Sequence, residues 1–214
     1  MSIIPKLATS LNRRDEIPNQ ELAKDIVRHA DKAAVAELAE NLGNKNKAIG
    51  YDCIKTLYEI GYEKPSLISN HFQTFLSLLD NKENRLQWGA MTALNGIVLE
   101  KPTEIFASLG KIINAADKGS VITRDQCVNI LIKLSSIEKY ANKTLPLLLE
   151  QMMICPTNQL PMYAENAAHI INDLNKEKFI KTLSARLDDI EKESKKRRVV
   201  KVFKKLNKKS DSTK

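Results

Sequence analysis

Seven glycines and seven prolines are scattered through 214 residues, so little in the chain interrupts a helix. Only three cysteines occur, Cys53, Cys127 and Cys155, and they cannot all pair. Their separations of 74 and 28 residues match no CxxC or zinc-ribbon spacing. A chain of this length buries a core without staples, so neither disulfides nor a structural metal is expected, and a reducing, cytoplasmic setting is. Aromatic residues make up 5% and there is one tryptophan. His29, His71 and His169 have no spacing that places two of them on one helix face, and there is no Gly-rich phosphate loop, nucleophile elbow or HExxH motif. No catalytic residue, cofactor or metal site is expected. Long apolar runs are missing too. The strongest windows, 130–134 and 145–149, fall far short of the roughly 20 residues that span a bilayer, so no membrane span is expected. Pro5 and Lys6, followed by the charged run Arg13-Arg14-Asp15-Glu16, leave no unbroken apolar core for a secretory signal.

Acidic residues are scarce in one place. The formal net charge is +8, yet residues 192–214 alone carry +9, with eleven Lys/Arg and two acids. The other 191 residues sum to −1. Attraction to an anionic partner therefore belongs to the C-terminal end.

What the chain does contain is Leu, Ile, Ala, Lys and Glu with apolar residues recurring at i, i+3, i+4 and i+7, the helical period. The class is all-α. Eleven helices are expected, at about 20–30, 33–42, 46–61, 65–79, 84–99, 102–116, 123–137, 140–154, 162–174, 177–192 and 195–206. Pro65 and Pro102 suit first helical turns, and Thr123-Arg124-Asp125-Gln126 reads as a capping box. The helices repeat. Cys53, Thr56, Leu57 and Ile60 realign on Ala90, Ala93, Leu94 and Ile97 at a shift of 37, and Glu63-Lys64-Pro65 recurs as Glu100-Lys101-Pro102 at the same shift. The frame returns as Cys127, Ile130, Leu131, Leu134, then Ala167, Ile170, Ile171, Leu174, then Val199, Val202, Phe203, Leu206. A two-helix unit with a period near 37–40 is the signature of a stacked helical repeat.

The stretch from Asp80 through Arg85, Trp88, Ala90 and Leu94 to Ile97 resembles the second half of a HEAT repeat, with Asp in the turn, Arg near the start of the inner helix, and Ala and Leu at packing positions. Weaker copies cover about 33–206, although Asn44 and Ala48 replace the Asp and Arg in the first. The resemblance implies a HEAT/armadillo-like solenoid, a right-handed α-α superhelix of about five helix pairs plus an N-terminal helix. It further implies a binding role rather than an activity, and one domain is expected over 1–206; residues 207–214 lack apolar content and are expected to be a basic disordered tail.

Positions −2, +2 and +5 of the frame lie about 140–200° from its core-facing side, so they are expected on an exposed concave face. The −2 row reads Tyr51, Trp88, Asp125, Glu165, Arg197; the +2 row Lys55, Thr92, Asn129, His169, Lys201; the +5 row Tyr58, Asn95, Ile132, Asn172, Lys204. Aromatic, then acidic and amide, then basic residues follow one another. The expected function is non-catalytic protein binding or scaffolding, with Tyr51, Tyr58, Trp88, Asn95, Asp125, Asn129, Glu165 and His169 contacting an extended segment of a protein or peptide. The competing structural account has the aromatics covering the joint between repeats. The alternative function is nucleic-acid binding by Arg197, Lys201 and Lys204, extending to a HEAT-like DNA glycosylase by analogy with the alkylpurine glycosylases. Against the glycosylase, Asp125 and Glu165 would meet backbone phosphates in the middle of the groove.

Overall fold

The computed structural model describes residues 2–211, and among them the regular structure is entirely helical. The α-helices are α1 (Ile17–His29), α2 (Lys32–Glu40), α3 (Lys47–Glu63), α4 (Phe72–Leu78), α5 (Asn84–Gly96) and α6 (Pro102–Ala107). They continue as α7 (Leu109–Lys118), α8 (Val121–Ser135), α9 (Glu138–Ile154), α10 (Leu160–Ala167), α11 (Lys176–Ser184) and α12 (Glu193–Asp211). Short 3-10 turns occupy Ile4–Lys6, Asn41–Gly43, Pro65–Leu67 and Ser69–His71. No described helix is long and apolar enough to cross a membrane.

Local chemistry sets several of these boundaries. Asp31 and Asn46 cap α2 and α3, their side chains accepting from the backbone N–H groups of Ala34 and Ala48 at 2.9 and 3.1 Å. The capping box expected at Thr123 lies elsewhere: α8 starts at Val121, Ser120 Oγ accepts from the Thr123 N–H at 3.2 Å, and Thr123 is buried in the first turn. The helix expected over 102–116 divides at Ser108 into α6 and α7. That expected over 65–79 opens with two 3-10 turns before α4. At the far end, α12 continues through Asp211, past the Leu206 boundary; residues 212–214 of the expected tail lie outside the described residues.

The chain divides into two compact units, Met1–Cys127 and Val128–Lys214, a division that the repeat pattern does not mark. In the first unit, α1, α3 and α5 lie side by side as inner helices, with α2 against α3 and α4 against α5. Contact between α3 and α5 is close because small residues line it. A Cβ on Gly89 would stand 2.6 Å from Ile54 Cγ1, and one on Gly96 would stand 3.3 Å from the Gly61 carbonyl oxygen. In the second unit, α9 packs on α11, and α12 packs on both α10 and α11. Arg186 Nη1 donates to the carbonyls of Met152, Met153 and Cys155 at 3.1, 2.6 and 3.2 Å, satisfying acceptors that the end of α9 leaves open.

The repeated frame forms the core. Every frame residue from Cys53 to Ile60, Ala90 to Ile97 and Cys127 to Leu134 is buried, as are Val199, Val202 and Leu206. Burial pushes the Cys53 and Cys127 thiols up to about 12. The fourth copy departs from expectation. Helix α10 stops at Ala167, and Leu174 is 97% exposed. The cause is local: Asn175 Oδ1 accepts from the Asn172 N–H at 2.9 Å and Asn172 Oδ1 from the Leu174 N–H at 3.1 Å, so side chains satisfy the backbone donors a helix would have used.

A second correction concerns the rows expected at the surface. Lys55, Thr92, Tyr58, Asn95 and Ile132 are buried. In the first unit these sides of the inner helices meet neighbouring helices: Tyr58 meets Trp88 of α5, Asn95 meets Gln126 of α8, and Lys55 meets Glu16 just before α1. The two leucines give a direct check. Leu94→Ala should destabilise the protein by about 2–5 kcal/mol in chemical denaturation, whereas Leu174→Ala should remain within about 0.5 kcal/mol of the parent.

Candidate functional site

The first unit carries a cleft of about 240 Å³ that gathers the aromatic part of the expected surface. Tyr51, Asp52, Lys55 and Tyr58 from α3 and Arg85 and Trp88 from α5 line one side, and the segment from Ala8 to Asn19 lines the other. That segment precedes the repeats, and the Asp52 carboxylate holds it at two points. Asp52 Oδ2 accepts from the Thr9 N–H at 2.7 Å, and Asp52 Oδ1 accepts from Asn19 Nδ2 at 2.8 Å. Asn19 Oδ1 in turn accepts from the Ala8 N–H at 3.0 Å. Leu7 and Ala8 are buried beside this bonded set, and farther back Glu37 accepts from the Ile3 N–H at 3.0 Å and from the Ser2 hydroxyl.

The cleft's charges are mostly spoken for. Arg13 pairs with Asp15 at 2.8 Å, and Lys55 Nζ lies 2.8 Å from Glu16 and 2.6 Å from Glu59. Burial works against the Lys55 ammonium, but hydrogen bonds to Glu16 and Glu59 outweigh it and hold its pKa above the ordinary lysine value. The same ammonium sits 4.9 Å from the Tyr58 ring centroid. Beyond these pairs stand Arg14 and Arg85, neither of which has a carboxylate within ion-pair distance among the described residues. The Arg85 guanidinium lies 5.5 Å from the Tyr51 ring centroid.

The aromatics form a connected set. Trp88 and Tyr58 are 5.8 Å apart with planes tilted by 50°, and Tyr58 meets Tyr62 edge-on, also at 5.8 Å. Tyr58 is therefore a joint residue as well as a cleft residue, while Tyr51 and Trp88 are only partly buried. Tyr51 donates its hydroxyl hydrogen to Glu83 Oε2 at 2.6 Å, and Lys47 Nζ lies 2.6 Å from Glu83 Oε1. Lys47 first, then Tyr51, hold the Glu83 carboxyl below its usual range, and the bond to Glu83 raises the Tyr51 phenol.

The remaining expected residues occupy other places. Asn95 Nδ2 donates to Gln126 Oε1 at 2.7 Å inside a helix joint, and Asp125 is half-buried on α8. In the second unit Asn129 Oδ1 accepts from Asn166 Nδ2 at 3.4 Å. Glu165 is held by the Arg198 guanidinium, whose Nε donates to it at 2.8 Å and whose Nη2 donates to its other oxygen; this pairing lowers the carboxyl pKa. His169 follows the end of α10, exposed, with Nδ1 2.8 Å from the Asn166 carbonyl oxygen. Arg197, Lys201 and Lys204 are exposed on α12. Arg14, Arg85, Asp52 and Asn19 complete the cleft without having been picked out as its residues by the repeat frame. Arg85 was visible as the HEAT-type arginine, and the apolar Ile3, Leu7 and Ala8 were the available sign that the leading segment packs.

No family model and no curated protein matches the sequence. Solved structures do match the fold. An engineered protein is similar with a TM-score of 0.62 at 16% identity, over 96% of this chain and 100% of that one. A designed armadillo repeat protein in complex with the peptide (KR)4 is similar with a TM-score of 0.63 at 14% identity, over 94% of this chain and 100% of that one. The fold is thus an all-α solenoid of the HEAT/armadillo-like repeat type.

Because one carboxylate ties the leading segment to α3, Asp52→Ala strands the buried Asn19 amide and the Thr9 N–H together. The expected loss is about 1–3 kcal/mol in denaturant unfolding, with faster hydrogen exchange at Thr9.

Proposed function

We propose that the chain is a non-catalytic protein-binding module that holds an extended, acidic segment of a partner in the cleft between its leading segment and helices α3 and α5. The observation that carries this reading is the juxtaposition of two guanidinium groups without carboxylate partners, Arg14 and Arg85, with the partly exposed rings of Tyr51 and Trp88 in one concave site. Rings supply contact area at low entropy cost, and a guanidinium fork suits a carboxylate. The designed armadillo protein of similar fold supports peptide binding as a use of such a scaffold, although its peptide is basic. In this cleft Asp15 and Glu16 are ion-paired and the Asp52 oxygens are occupied by Thr9 and Asn19, so the charged groups free to meet a partner are Arg14 and Arg85. A cytoplasmic partner is in keeping with three unpaired thiols.

Trp88 is the only tryptophan, so its emission reports on the cleft directly. Titration with an octapeptide alternating Glu with Leu or Phe should shift that emission, and the Lys-containing counterpart should not. By calorimetry, Arg85→Gln should weaken the acidic peptide about tenfold and Trp88→Ala by about 2 kcal/mol or more. Equal binding of the basic peptide, or an acidic peptide indifferent to Arg85→Gln, would overturn the assignment.

A further inference from the structure

A second surface, independent of the cleft, lies on α12. Its apolar face is already used: Val199, Val202 and Leu206 are buried, and the helix packs on α10 and α11. On the opposite side, Arg197, Lys201, Lys204 and Lys208 are all exposed. At about 100° per residue they fall within about 140–200° of Val199, so they form one stripe rather than a scatter. Eleven rises of 1.5 Å from Arg197 to Lys208 make the stripe about 16 Å long. Between Lys195 and Lys208 the sequence has no acidic residue. The cations nearer the protein body are engaged: Arg198 with Glu165, Lys195 with Asn158 at 2.6 Å, and Lys196 with Asp188 at 3.8 Å. By contrast, Arg197, Lys201 and Lys204 have no carboxylate within ion-pair distance among the described residues.

We infer that this stripe is a sequence-neutral docking surface for the phosphate backbone of duplex DNA. Charge complementarity selects an anionic polymer, and three further features narrow it. A bilayer surface would need an apolar face to insert, and that face of α12 is buried in the protein. Single strands are held by stacking on aromatic rings, and the stripe consists of ammonium and guanidinium groups alone. Duplex RNA is selected by contacts across two successive minor grooves, a span of about 16 base pairs that a stripe of about 16 Å does not reach. Each strand places one phosphate per 3.4 Å of axis while winding around it, so a straight stripe of about 16 Å meets part of a run of roughly five, enough to engage about three cations at once. With only cations in the stripe, contacts would go to phosphates and carry no base sequence.

The test is fluorescence anisotropy of the full chain with labelled mixed-sequence DNA duplexes of about 25 base pairs across a salt series; about three phosphate contacts give a slope of log K against log salt near −3. Two unrelated sequences should bind alike, and duplex DNA should bind tighter than single strands, duplex RNA or phosphatidylserine vesicles. The variant R197Q/K201Q/K204Q/K208Q should lose at least tenfold in affinity and most of the salt slope. A control removing the same charge elsewhere, K24Q/K32Q/K178Q/K181Q, should retain most of it. All eight positions are exposed, and circular dichroism checks that both variants stay folded. Absence of binding at low salt, a flat salt dependence, tighter binding to vesicles or RNA, or equal losses in the two variants would overturn the proposal.

Discussion

Close approach of neighbouring inner helices is the constraint on which the rest of the first unit depends. Where α5 lies against α3, glycine faces Ile54 at one level and the Gly61 backbone at another, so the two axes come nearer than ordinary side chains permit. That spacing explains why the frame opens with Cys or Ala at these levels and fills with Leu and Ile one turn on. It also brings Tyr58 against Trp88. Beside that contact Tyr51 and Trp88 remain only partly covered, and both line the cleft.

How much of this was legible depends on which interaction decides each residue. Burial of the frame is set by hydrophobic period, a property of the sequence itself, and it can be read at Leu57, Leu94 and Leu131. The +2 and +5 positions are decided by what lies beside the helix. An angle measured from the core direction makes Tyr58 and Asn95 solvent-facing, but a stack of helices has neighbours on its flanks as well as beneath it. Leu174 fails for another reason. It satisfies the apolar period perfectly, yet Asn172 and Asn175 compete for the backbone over one turn, and that short-range contest ends the frame. Thr123 was misassigned because a serine three residues earlier offered the same oxygen to the same helix start.

The leading segment lay beyond the reach of repeat logic altogether. Nothing in the period says that residues before α1 should fold onto α3, and the deciding contacts are hydrogen bonds to Asp52, a residue unremarkable in the repeat frame. The cationic end was legible as composition, because eleven cations in 23 residues need no structure to notice. Sorting them did require one. Arg198 is tied to Glu165 while Arg197, its neighbour in sequence, points away, so adjacent arginines of equal charge have different roles.

Every cysteine of the chain lies inside, two of them at the position where the frame opens against its neighbours. Nucleophilic attack by sulfur requires a thiolate and a path to it, and burial removes both at Cys53 and Cys127. The folded surface consequently presents no cysteine thiol to electrophiles or oxidants. A thiol becomes reactive only when the helix joint that covers it opens, which makes sulfur chemistry a clock for local unfolding of the repeats rather than a property of the native protein. A single cysteine introduced anywhere on the outside would then be the sole fast-reacting site, and a label attached there would carry no background from the rest of the chain.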